Sequence, residues 1–266
     1  LVFFLKKKQT LIIYHCLPEF NIFGIFVKFY FYFFGIIGII NSNKIITLSN
    51  EYFINIYLHK YFRSKLLELP PYIFLNNIEK KIKDNNNILK IGFLGRLSFE
   101  KGIHLLIQVS PKLKNMSISH KIIIAGDFYD NRFSRYIKNI FKLSNHNSSI
   151  QFIGSLNEKQ KKDFFEQIDI FVLPSTNPLE AFGIVQLEAM SYGIPVVSSN
   201  LKGVKSIIEK TKNGYSFISN DVNDLLSKIV LLNKKKVDHR QIQQNVINHY
   251  NQNKFKTKIS ELLKSS

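Results

Sequence analysis

Residues 170–199 read IFVLPSTNPLEAFGIVQLEAMSYGIPVVSS. A short apolar run, Ile170–Leu173, gives way to a loop punctuated by Pro174 and Pro178. Helical spacing follows over Gly183–Tyr192, and a second apolar run over Pro195–Ser198. Neither run alternates apolar with polar residues, so each reads as a strand covered on both faces. Strands of that kind, joined by a helix, belong to a parallel sheet.

The same unit recurs upstream. LKIGFL (89–94), KIIIA (121–125) and IQFI (150–153) are short and rich in β-branched residues. Amphipathic segments separate the runs at Gly102–Leu113, Asn131–Leu143 and Glu158–Gln167. Right-handed crossovers then build a doubly wound, Rossmann-like α/β domain. Further helices are predicted over Asp221–Leu232 and His239–Lys264. Towards the amino end lie a strand at Lys44–Leu48, a helix-like segment at Asn50–Tyr61 and a break at Pro70-Pro71. The polar stretch Asn76–Asn87 marks a domain boundary. The expected division is a partial first domain over 1–80, a Rossmann-like domain over 81–250, and a carboxyl-terminal helix over 251–266 that returns to the first domain.

Composition narrows the function. The chain has 266 residues, 45% of them hydrophobic and 21% charged, which excludes a disordered chain and a multi-span membrane protein. A single cysteine, Cys16, excludes an intramolecular disulfide and a cysteine-based zinc site. With 37 Lys and Arg against 19 Asp and Glu, net charge is +18, which suits nucleic acid, anionic membrane or phosphate-bearing small molecules. That charge is spread evenly. Its longest runs are the triplets Lys6–Lys8 and Lys234–Lys236, and no nucleic-acid-binding motif is present, so no nucleic-acid partner is expected. Phe20–Ile40 is polar only at Asn21 and Lys28. As a helix, Ile22–Ile40 would be about 28 Å long. A buried core helix, a membrane-surface contact and a membrane span are its three readings, with the core helix leading.

Ligands of a doubly wound sheet bind beyond the carboxyl ends of its strands. Three strand exits carry chemistry. Gly95-Arg96-Leu97-Ser98-Phe99-Glu100-Lys101-Gly102 follows the run at 89–94. Gly95 lets a ligand approach the backbone, while the Arg96 fork and the Lys101 point charge can converge on a diphosphate. Two cations among so many also read as surface charge. The exit after Leu173 places Glu180 before a helix and Glu188 within its apolar stretch IVQLEAM. Backbone amides at Phe182, Gly183 and Ile184 would face the crevice. Glu188 can accept from the hydroxyls of a polyol such as ribose, or be an ordinary exposed residue. The third exit, Tyr14-His15, offers a donor to phosphate or sugar, or a structural histidine.

On these residues the chain resembles the retaining glycosyltransferases of GT-B type, family 4, the "glycosyltransferase group 1" set. The matching segments are GRLSFEKG (95–102), AGD (125–127), FIGSL (152–156) and PSTNPLEAFGIVQLEAMSYGIPVVSS (174–199). Glu180 and Glu188 match the E-x7-E motif of that family. Asn76–Glu79 resembles its hinge, with Asn77 in place of Gly, and Ser206 stands where many members carry Glu. The resemblance spans roughly residues 10–265. It implies a GT-B fold and a UDP- or GDP-linked sugar donor used as substrate, with no cofactor. Arg96 and Lys101 would hold the diphosphate, Glu188 the ribose and Glu180 the donor sugar. Gly154 and Leu156 would lie near the base, with the 182–184 amides at phosphate or sugar. His15, Glu180, Arg96 and Lys101 are thereby cast as the catalytic group. No D-x-D pair occurs, in keeping with the metal independence of the family. A glycan or glycolipid acceptor is implied, and a cytoplasmic setting with peripheral contact to an anionic inner membrane face left open. Leu1 falls partway through the first domain of the family, so a truncated donor-binding module without turnover is the alternative.

Overall fold

The structure, a computed structural model, describes residues 2–5, 9–14, 33, 36–53, 59–75, 88–128, 131–143, 149–178 and 180–264. Two sheets organise them. The first has strands β1 (Val2–Leu5), β2 (Gln9–Tyr14), β3 (Lys44–Thr47) and β4 (Leu66–Glu68) in that spatial order. β1 runs antiparallel to β2, and the rest are parallel. The second contains β5 (Leu89–Leu94), β6 (His120–Ala125), β7 (Ile150–Gly154), β8 (Ile170–Leu173), β9 (Val196–Ser199) and β10 (Gly214–Phe217). All six are parallel, in the order β10-β9-β8-β5-β6-β7. The chain therefore winds one way from β5 to β7, then returns to the other side of β5 with β8. The order reverses between β5 and β8, and it is beyond the carboxyl ends of strands at such a reversal that doubly wound sheets bind their ligands.

Burial explains the apolar runs. Ile91, Phe93, Ile122, Ile124, Phe171, Val172, Val196 and Val197 are all fully buried. Helices cover both faces. One of them, Ile103–Asn115, turns Ile103, Leu106, Val109 and Leu113 inward. Two of its counterparts begin on side-chain caps. Asn157 and Gln160 form a capping box before Glu158–Gln167, and Asp221 accepts from the Asn223 and Asp224 amides before Val222–Lys234.

The structure departs from the expected elements at several places. The 3-10 turn Phe99–Lys101 precedes the first helix of the second domain, and Val185–Ser191 starts two residues later than its spacing suggested. The single helix expected over His239–Lys264 is two, His239–Tyr250 and Gln252–Lys264. Asn251 is extended there, and its Oδ1 accepts from the Lys254 amide at 2.8 Å, so it caps a new helix instead of continuing the old one. β1, β4, β10 and the helix Lys202–Thr211 have no counterpart in the sequence reading.

Residues 36–41 are helical, with Ile39 buried against Ile45, while Phe33, Ile37 and Ile40 are 52%, 38% and 53% exposed. The rest of the aromatic run, His15 and the hinge segment 76–79 lie outside the described residues. Among the described residues no helix is long and apolar enough to cross a membrane. The two sheets are bridged by Glu68. Its carboxylate pairs with Lys210, and its carbonyl accepts from Lys258 at 3.0 Å. The Ile73 amide also donates to the Tyr250 carbonyl at 2.8 Å.

Burial holds His104 below the ordinary imidazole value, and its buried Nδ1 has no hydrogen-bond partner among the described residues. Burial, then the charges of Lys254 and Lys210, lower His249 as well. Both stay neutral in the fold after the unfolded chain has taken up a proton. Stability is thus expected to fall as pH drops below about 6.5. Melting curves should give a lower Tm at pH 5.5 than at pH 7.5, with a smaller gap in His104→Gln; an equal or higher Tm at pH 5.5 contradicts this.

Candidate active site

The rim of the second sheet is assembled by strand-end contacts. Gly95 closes β5 by donating to the Ala125 carbonyl at 3.1 Å, and Gly126 closes β6 by donating to the Gly154 carbonyl at 2.7 Å. The loop after β5 then meets the loop after β8. Gly102 has φ 68°, and a Cβ there would stand 1.8 Å from the Pro174 carbonyl oxygen. Only glycine allows that approach. Thr176 fastens the same seam, its amide donating to the Glu100 carbonyl at 2.8 Å and its hydroxyl to the Phe99 carbonyl at 3.2 Å.

This seam brings Lys101 and Glu180 together. Lys101 Nζ pairs with Glu180 Oε2, which also accepts from the buried Ser175 hydroxyl at 2.9 Å. The two charged side chains are 21% and 14% exposed, so the pair is largely shielded from water. Arg96 lies on the same loop but further out: it is 53% exposed and sits 3.6 Å from Glu100. Phe182 is buried, its ring against Tyr250, so only its backbone can serve a ligand. Gly183 is buried beneath Leu173 and Gln186, and Ile184 is exposed. Gly154 opens on free space at the end of β7, and Leu156 packs half-buried beyond it.

Glu188 is half-buried, not an open surface residue, and its Oε1 lies 3.5 Å from Lys161 Nζ. Lys161 also reaches Glu158 at 3.2 Å. Burial depresses the Lys161 pKa, but the Glu188 and Glu158 carboxylates outweigh it and hold the group above its ordinary value. The sequence did not single out Lys161, because EKQKKDFFEQ (158–167) places it among three lysines with nothing to rank them. Its one available signal was position, in the first turn of the helix that follows the β7 exit. Each carboxylate of the Glu180/Glu188 pair is therefore matched to a lysine from a different strand exit.

The chain matches the model of the family described as "Glycosyl transferases group 1" over residues 76–249. An uncharacterized glycosyltransferase of Methanocaldococcus jannaschii is 34% identical over 140 residues, covering 52% of this chain and 34% of that protein. Spore coat protein SA of Bacillus subtilis is 32% identical over 146 residues, covering 51% of this chain and 38% of that protein. The chain thus spans about a third of the length of these curated relatives. Sucrose-phosphate synthase from Thermosynechococcus elongatus superposes with a TM-score of 0.76 at 17% identity, covering 96% of this chain and 67% of that one. Anabaena HepE in complex with UDP-glucose gives 0.74 at 18% identity, covering 96% and 72%. At these identities the superpositions show a shared α/β, GT-B fold.

Gly102→Ala forces a left-handed conformation and a clash with backbone, and is expected to cost about 2 kcal/mol or more of stability. A denaturation midpoint equal to that of the unsubstituted chain would contradict the contact between the two loops.

Proposed function

This chain belongs to the glycosyl transferases group 1 family, and from that membership we propose that it binds a nucleotide-diphospho-sugar at the β5/β8 crevice and takes part in sugar transfer with retained anomeric configuration. The observation that carries the reading is the meeting of Lys101, Glu180 and Ser175 where the sheet order reverses. Lys101, with Arg96 nearby, supplies positive charge where negative charge grows on the departing nucleoside diphosphate. Basic side chains fill the role that a metal would otherwise have. Glu188, positioned by Lys161, accepts from the ribose hydroxyls, and Glu180 meets the donor sugar. The backbone at 182–184 adds donors to phosphate or sugar, and the Gly154–Leu156 turn lies beside the base. His15, next in sequence after β2, completes the group from the first domain.

The acceptor proposed is a glycan or glycolipid precursor at a membrane face. The exposed Phe33, Ile37 and Ile40 support the membrane clause, together with Lys65, which donates to the Ile40 and Ser42 carbonyls at 2.8 and 2.7 Å beside them. A donor-binding module without turnover is the second reading; it predicts that UDP or GDP raises the melting temperature while no sugar transfer is detected.

Calorimetric titration with UDP- and GDP-sugars in EDTA separates these ideas from a misplaced site. Glu188→Ala and Lys101→Ala are each expected to weaken donor binding by about 1.5–3 kcal/mol, or roughly 10- to 150-fold. Curves identical to those of the unsubstituted chain for both variants would contradict the assignment. For the membrane clause, the chain should pellet with phosphatidylglycerol-containing vesicles at low salt and release at high salt; a chain that stays in the supernatant at low salt removes it.

A further inference from the structure

Glu180 is held by two side chains of the rim itself. Lys101 and the Ser175 hydroxyl both bond Oε2, and among the described residues no hydrogen bond or ion pair is made to Oε1. The seam between the two loops keeps this carboxylate within reach of the ammonium that a diphosphate needs. A bare nucleoside diphosphate must therefore share Lys101 with an anion already bound to it, and must approach the charge of that anion. A donor that carries a sugar meets the same cost but brings hydroxyl donors to Oε1, where a charge-assisted hydrogen bond offsets it.

We propose that Glu180 is a specificity-determining residue that lowers the affinity of the site for nucleoside diphosphate alone and restores it when a sugar is attached. The consequence lies in the order of binding and release. While the sugar is present, Glu180 is satisfied by hydroxyls and Lys101 by phosphate. Once the sugar has left, the carboxylate reclaims Lys101 and works against retention of the spent nucleotide. Ser175 is the positioning residue of this device, since its hydroxyl fixes the carboxylate on the lysine. The inference rests on the nucleotide-sugar reading of the crevice.

The test is calorimetric titration of the 266-residue chain with UDP, GDP, UDP-glucose and GDP-glucose. Glu180→Gln keeps the shape and removes the charge. It should bind the bare nucleoside diphosphate about three- to tenfold more tightly than the unsubstituted chain, from the loss of one partly screened charge. The advantage of the sugar-bearing ligand over the bare one should shrink in the same variant. Ser175→Ala leaves the carboxylate in place and should shift affinity for the bare nucleotide in the same direction by less; it serves alone if Glu180→Gln does not fold. Equal or weaker binding of the bare nucleotide by these variants, with the unsubstituted chain binding normally, overturns the inference and leaves the nucleotide-sugar reading standing. No nucleotide binding by the unsubstituted chain overturns both.

Discussion

The close approach of Gly102 to the Pro174 carbonyl fixes everything that follows at the rim. The sheet order places β5 beside β8, but adjacency of strands alone leaves two loops free to diverge. The missing side chain at Gly102 lets them touch, and the Thr176 hydrogen bonds keep them so. Lys101 immediately precedes that contact, and Glu180 follows it by six residues. Their pairing is thus a product of backbone packing and not of charge attraction alone.

Charge at the rim is arranged in matched pairs. Glu180 has Lys101, and Glu188 has Lys161. A chain of net charge +18 therefore presents a site whose cations are already engaged, and an incoming anion must exchange partners rather than fill an empty positive pocket. The excess basic charge acts elsewhere, as a long-range field that salt screens. Between the two sheets Glu68 forms one such charge pair, with Lys210; Lys258 reaches its main-chain carbonyl instead.

Much of the second domain was legible because parallel strands buried on both faces must be apolar at every position, as Ile122–Ala125 are. β10 was hidden because GYSF sits at the sheet edge, mostly half-buried, and carries no such run. The helix Lys202–Thr211 was hidden by Gly203, which reads as a loop residue. In the fold that glycine is required by packing, since a Cβ would lie 2.0 Å from the Ala181 carbonyl oxygen. Its inward set, Val204, Ile207, Ile208 and Thr211, does have helical spacing. For the site, the positions of Lys101, Glu180 and Glu188 were visible as loaded strand exits, whereas their pairing was not. Pairing depends on which lysine of several a tertiary contact selects, and Lys161 among its neighbours in sequence shows that local pattern cannot rank them.

The most direct measurement is a crystal structure of the chain soaked with UDP or GDP. The account predicts the pyrophosphate within hydrogen-bonding distance of Lys101, the ribose against Glu188 and the base beside Gly154–Leu156. Nucleotide bound instead in the hollow of about 670 Å³ at the opposite end of the sheet, lined by Lys212, Tyr215 and Gln241, would contradict it.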